Sequence, residues 1–242
     1  METVITLVIW AAVIQGLLLG LIFIGSKKHK SLANKLLGLF LISFVFTALT
    51  DLLPFDEKWG YSIKAYFSLP EIKIFIPILF LHFILEKVGK SSKYRLFLKF
   101  HYYLGAMVVS ITVVNIFLHI FFGTNLLNFF SWEETEWVYM FQQYYAFLLT
   151  RAILVISIKE TLNYRDLVKN EYSDMALLDI NWLWQCIFAI MPVIVFWGAE
   201  LLRILMGGMG QSELTIVTYF FIVIFIYFVS YKAFTRQTLF ES

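Results

Sequence analysis

Long apolar runs alternate along the chain with short charged stretches. Seven runs stand out, at about residues 3–25, 32–53, 69–88, 100–122, 137–158, 174–206 and 213–234. Each holds about 20 residues or more, enough helix at about 1.5 Å per residue to cross a hydrocarbon core of roughly 30 Å. The pattern predicts an all-α fold: one polytopic transmembrane domain over residues 1–242, a bundle of seven helical spans. Glu71 and Lys73 head the third run and Pro77 lies inside it. A proline kinks a membrane helix where neighbours re-satisfy the freed carbonyl, and a count of five or six spans stays open. The cations of the first run follow its apolar segment, the reverse of a cleaved leader. That run is expected to be a retained first helix.

The charges between the runs set an expected orientation. Lys27, Lys28, Lys30 and Lys35 lie in the first loop, Lys87, Lys90, Lys93, Arg95 and Lys99 in the third, and Lys159, Arg165 and Lys169 in the fifth. The alternate loops are poorer in cations, and the fourth carries Glu133, Glu134 and Glu136 instead. Positive charge marks the cytoplasmic side. The amino terminus is then outside and the carboxyl terminus, with Lys232 and Arg236, in the cytoplasm. Leu162, Leu167, Val168, Tyr172 and Met175 keep helical spacing through the charged stretch after the fifth run, so that helix is expected to continue below the membrane. Ser173 and Asp174 read as the start of the sixth helix. The two together would form a protruding cytoplasmic hairpin.

Composition agrees with this picture and narrows the chemistry. The 242 residues are 60% hydrophobic, 19% aromatic and 15% charged, with a net charge of +2. The single cysteine, Cys186, excludes an internal disulfide and a thiolate metal site. No HExxH, GxSxG or phosphate-binding glycine loop occurs, and His29, His82, His101 and His119 fall on different segments. No metal, cofactor or catalytic set is therefore expected. A retinal Schiff base is disfavoured as well, because Lys232 sits at the end of the last run rather than its middle. The halves show no internal repeat of the transporter kind.

Polar groups inside membrane helices are costly and so mark candidate sites. By depth, Asp51, Asn115, His119, Gln143, Glu200 and Arg203 fall in the outer part of the bilayer, where with Glu71 and Lys73 they are candidates to line an outward-facing vestibule. The plainer reading is that they are solvated at the headgroup level. Glu200 and Arg203, spaced i,i+3, are expected to pair with each other. Arg151 lies deep in the fifth run, either snorkelling to the inner interface or buried in a pair. His82 reads as a core histidine with no acidic partner in its own segment.

Four places carry a family resemblance: Ile14-Gln15-Gly16-Leu17-Leu18-Leu19-Gly20 in the first run, Ala33-Asn34-Lys35-Leu36-Leu37-Gly38-Leu39 in the second, Ile76-Pro77-Ile78-Leu79-Phe80-Leu81-His82 in the third, and Ser173, Trp182-Leu183-Trp184 and the closing Tyr231-Lys232-Ala233-Phe234 at the end. In this order the chain resembles the amino-terminal seven-helix membrane modules of Bacteroidetes-type AraC or LytTR transcription regulators and LytS-like histidine kinases. It departs from them at Ser230 and Ala233, where glycines are usual, and residues 1–242 hold no output domain, so the chain is expected to be either the membrane module of a longer regulator or a stand-alone relative acting through a separate partner.

The resemblance implies a signal-sensing module of the bacterial inner membrane, multi-pass and homodimeric, that binds an unknown ligand and no nucleic acid itself. It also implies a relay through Tyr231, Lys232, Phe234 and Arg236 to a cytoplasmic output domain or partner. A small transporter or permease is the alternative, and a lipid-modifying enzyme a third.

Overall fold

The structure, a computed structural model, describes residues 2–25, 31–52, 72–124, 126–171, 180–208 and 213–235. The described residues form seven α-helices and no strand: α1 (Glu2–Gly25), α2 (Leu32–Leu52), α3 (Ile72–Lys87), α4 (Arg95–Phe122), α5 (Trp132–Glu171), α6 (Ile180–Leu205) and α7 (Glu213–Thr235). The all-helical expectation holds. Segment Ser91–Asn115 and helix α6 are long and apolar enough to cross a membrane.

Helix ends follow local chemistry. Ser131 caps α5: its Oγ accepts the Glu134 N–H at 3.2 Å, while the Glu134 carboxylate accepts the Ser131 N–H at 2.8 Å. This reciprocal capping box starts the helix at Trp132, earlier than the apolar run suggests. At the other end α5 runs through the charged stretch to Glu171, as its spacing predicts. Its 40 residues make about 60 Å of helix, twice a hydrocarbon core. The expected start of α6 at Ser173 and Asp174 lies outside the described residues. Gly89 (φ 67°) and Gly207 (φ 86°) end α3 and α6 in the left-handed conformation that glycine adopts without strain. Paired backbone bonds accompany each, Lys90 N–H to Leu85 O and Gly89 N–H to Glu86 O, Gly208 N–H to Arg203 O and Gly207 N–H to Ile204 O.

Six helices close a ring in the order α1, α2, α3, α5, α6, α7 and back to α1, and α4 packs outside it against α3. The seam between α1 and α2 is the tightest. A Cβ placed on Gly38 would stand 2.7 Å from the Gly20 carbonyl oxygen, so the two backbones meet through glycines, a packing mode typical of membrane helices. Helix α3 is the most enclosed despite its charged ends: Ile78, Leu81, Phe83, Ile84 and Leu85 have no exposed surface. It faces α2 on one side and α4 and α5 on another, so apolar residues all round are required rather than one stripe. Helix α4, by contrast, leaves Phe100, Tyr103, Met107, Ile111, Val114 and Phe121 exposed, an unbroken apolar face. Within the ring, Phe40 packs on Phe44, Phe80 and Phe225 with ring centroids 4.9, 5.3 and 5.7 Å away, joining α2, α3 and α7.

Candidate functional site

A partly open cavity of about 290 Å³ lies inside the ring, lined from α2, α3, α5, α6 and α7. Its polar groups gather where α3 and α7 begin and α2 and α6 end: Lys73, Gln143, Glu200 and Thr215. Its deeper walls are Phe44, Pro77, Ile190, Ile194 and Ile222, with Trp197 along one side. From Glu200 back to Ile190 along α6 is about 15 Å, so the space is longer than it is wide at any one turn. Volume and mixed lining put it at the small end of small-molecule pockets, which run to roughly 300–1,000 Å³.

Two bonds shape the polar end. Lys73 Nζ donates to Gln143 Oε1 at 3.1 Å, linking α3 to α5. Lysine carries donors only, so the Gln143 oxygen must face it and the amide N–H pair is what remains. Gln143 is 3% exposed and its Nε2 has no hydrogen-bond partner. Glu200 accepts two bonds from Arg203, Nε to Oε2 at 3.0 Å and Nη2 to Oε1 at 2.8 Å, the planar fork-to-carboxylate geometry. The i,i+3 pairing read from the sequence is thus present, and it occupies both carboxylate oxygens. Thr150 and Thr218 turn their hydroxyls to the Ala146 and Leu214 carbonyls of their own helices.

Of the six candidate ligand residues, the structure brings Gln143 and Glu200 to one cavity, with Arg203 holding Glu200. Asn115 is elsewhere. Its Oδ1 accepts the Leu126 N–H at 2.7 Å, tying the end of α4 to the short 3-10 turn Leu126–Phe129, a purely local role. The side chains of Asp51 and His119, and all of Glu71, lie outside what the structure describes. Arg151 is exposed, with Cζ 5.5 Å from the centre of the Phe147 ring one turn back along α5. It neither forms a buried pair nor leans toward the inner end. At the output end, Tyr231 is exposed and Lys232 Nζ stands 5.9 Å over Phe228, whereas the Phe234 side chain and Arg236 lie outside the described residues.

His82 corrects the sequence reading. It does have an acidic neighbour on its own helix, Glu86 at 3.5 Å and spacing i,i+4, and its Nδ1 lies 3.1 Å from the Tyr102 hydroxyl.

Sequence reasoning also missed a second polar centre at the opposite end of α5. Glu160, 1% exposed, accepts Lys93 Nζ at 2.7 Å and the Tyr94 hydroxyl at 2.6 Å. Burial pushes its carboxyl up, but the bonds from Lys93 and Tyr94 outweigh burial and hold it below the ordinary carboxylate value. The signal was available: Lys93 and Glu160 both sit in the cation-rich loops assigned to one side. Near this end Asn34 Nδ2, Trp182 Nε1 and Trp184 Nε1 are buried donors without acceptors, and all three belong to the motifs behind the family resemblance.

Compared with protein-family models, curated proteins and solved structures, the chain matches none.

Proposed function

We propose that the chain is a receiving module of the bacterial inner membrane, in which a small ligand in the ring cavity is registered by α7 and passed to a cytoplasmic partner. The observation that carries the reading is that one helix serves both ends. Thr215, Thr218, Tyr219 and Ile222 of α7 line the cavity, and the same helix continues to Tyr231 and Lys232. Phe44 extends the link, since it lines the cavity and sits 6.0 Å from Phe225 of α7, so a change in the cavity's filling reaches α7 through packed rings.

Seven spans with the amino terminus outside fit this arrangement. The apolar face of α4 suits lipid. Gln143 and Glu160 are separated by about 26 Å along α5, a spacing that suits two lysine-bearing centres near the edges of a roughly 30 Å core. The family resemblance supplies the rest of the reading: action as a homodimer, and an output domain or partner that is a transcription regulator or kinase. In this reading the module has no catalytic centre of its own.

A permease would need a path beyond the cavity. Next to Phe44 of its wall, Phe40 and Phe225 are fully buried and packed on each other at 5.7 Å, which favours a receiver.

Spin labels at Gln185 and Tyr231, exposed near the inner ends of α6 and α7, test the relay in a Cys186→Ala background. Filling the cavity with Ile194→Phe should shift the distance distribution between the labels in nanodiscs. An unchanged distribution in a folded, monodisperse protein would sink the relay. Cysteine crosslinks along α7 should recur with helical period if two copies meet there, and uptake into proteoliposomes that is lost in Glu200→Gln would revive the permease.

A further inference from the structure

We propose that the outward face of α5 around Arg151 docks a second membrane-spanning helix, from a different chain, that carries a carboxylate near the middle of its span. This rests on the seven-span reading and adds a lateral partner to it.

Burial divides α5 lengthwise. Ala146, Leu149, Ile153, Ser157 and Glu160 are enclosed on one side, while Leu148, Arg151, Ala152 and Val155 are exposed on the other, each set repeating at helical spacing. Toward the outer end the exposed side continues through Phe141 and Trp137. Apart from Arg151 this stripe is apolar, as contact with lipid or with an apolar helix requires. The guanidinium suits neither by itself.

Depth makes it costly. The Arg151 backbone stands about 12 Å from the level of Gln143 and about 14 Å from that of Glu160, in the middle of the apolar stretch. Its Cζ lies 5.5 Å from the centre of the Phe147 ring, one turn toward the outer end and still about 6 Å inward of Gln143. A ring face attracts a cation without neutralising it. Elsewhere in the bundle Arg203 is matched by Glu200 and Lys93 by Glu160. An ionised group exposed at such depth marks a function whose counterpart comes from outside.

The platform beneath the guanidinium is fixed. Phe147 meets Trp197 of α6 edge-on, with centroids 5.5 Å apart, and its ring takes the space that a Gly198 side chain would need. Trp197 in turn lines the ring cavity, so the docking face and the cavity share one packed pair of rings.

Charge and geometry name the occupant. A planar fork of N–H donors is best met by a carboxylate. Lipid phosphates lie at the headgroup level, beyond Gln143, so a helix is the source that reaches this depth. The carboxylates described within the apolar stretches, Glu86, Glu160 and Glu200, each face a cation or histidine of their own chain. A second copy is therefore not the source.

A synthetic leucine-alanine helix with one glutamate at mid-span tests this against the 242-residue chain in zwitterionic liposomes. Association read by energy transfer should be about tenfold tighter than for a glutamine twin, the value of a hydrogen bond to a charged group. A lysine twin should be weaker than either. Arg151→Leu should bring the glutamate peptide down to the glutamine level, and Arg151→Glu should reverse the preference toward lysine, which misfolding alone does not do.

Equal association of the three peptides with the native chain overturns the proposal, since lipid then satisfies the guanidinium. Self-association without peptide that is lost in Arg151→Leu also overturns it and assigns the face to a second copy. The span reading fails separately. Val155→Cys, in a Cys186→Ala background, should resist a membrane-impermeant maleimide supplied on both sides of the bilayer. Labelling there removes the seven-span reading and the interface together, whereas protection without a glutamate preference removes the interface alone.

Discussion

Helix α5 holds a lysine near each end of its apolar stretch, and the two are used differently. Near the amino-terminal end, Lys73 from α3 meets the neutral oxygen of Gln143 at 3.1 Å. About 26 Å further along the helix, Lys93 from the turn after α3 meets the carboxylate of Glu160 at 2.7 Å, with the Tyr94 hydroxyl on the same oxygen. The second centre balances its charge, and its carboxylate is enclosed at 1% exposure. The first joins Lys73 to an amide whose Nε2 has no partner, and it opens on a cavity. At Glu160 both described bonds end on one enclosed carboxylate, whereas at Gln143 the amide keeps a donor over.

The widest separation between the two should appear on deleting each cation. Lys93→Met leaves the enclosed Glu160 carboxylate without its cation and should be the larger loss of stability, although Lys93 is itself 54% exposed. Lys73→Met removes a hydrogen bond to a neutral amide oxygen, a bond worth about 1 kcal/mol, and should be the smaller loss. Denaturant titration in mixed micelles gives both numbers, and equal costs would erase the distinction.

Acid should separate the ends next. The folded Glu160 carboxyl lies below its ordinary value. Its contribution is complete above the unfolded value of about 4.3 and is lost as the pH falls through the lower folded value. Stability should therefore fall on acidification, and Glu160→Gln should flatten that limb. Gln143→Leu should leave it unchanged, since an amide does not titrate there. An acid limb of the same slope in Glu160→Gln would assign it to other carboxylates.

Much of the architecture is legible in the runs of apolar residues, because a helix that must satisfy its own backbone in an apolar setting leaves a long and unambiguous trace. The continuation of α5 to Glu171 could be read from spacing alone. Which helices touch could not. The exclusion of α4 from the ring and the enclosure of α3 depend on packing between distant segments, and α3 has the shortest run with charge at both ends.

The candidate site divides the same way. Glu200 and Arg203 lie a turn apart on one helix and could be paired by counting. Lys73 with Gln143, and Lys93 with Glu160, lie 70 and 67 positions apart, and depth alone does not choose among the polar groups of one level. Asn115 shows that limit, since it shares the expected depth and serves a turn instead.

Between the two centres on α5 stands Arg151, and its replacement should have the smallest effect. Its guanidinium lies 5.5 Å over Phe147 on an exposed face, a contact of about 0.5–1 kcal/mol at an exposed site. Alanine is the better helix former, which offsets part of that. Arg151→Ala should then stay within about 0.5 kcal/mol in micelles. A loss of about 2 kcal/mol in nanodiscs but not in micelles would mean that the bilayer brings a partner acid to this face, since an isolated guanidinium in lipid is a cost whose removal stabilises. Helix α5 would then carry a third centre, one completed between chains rather than within the ring.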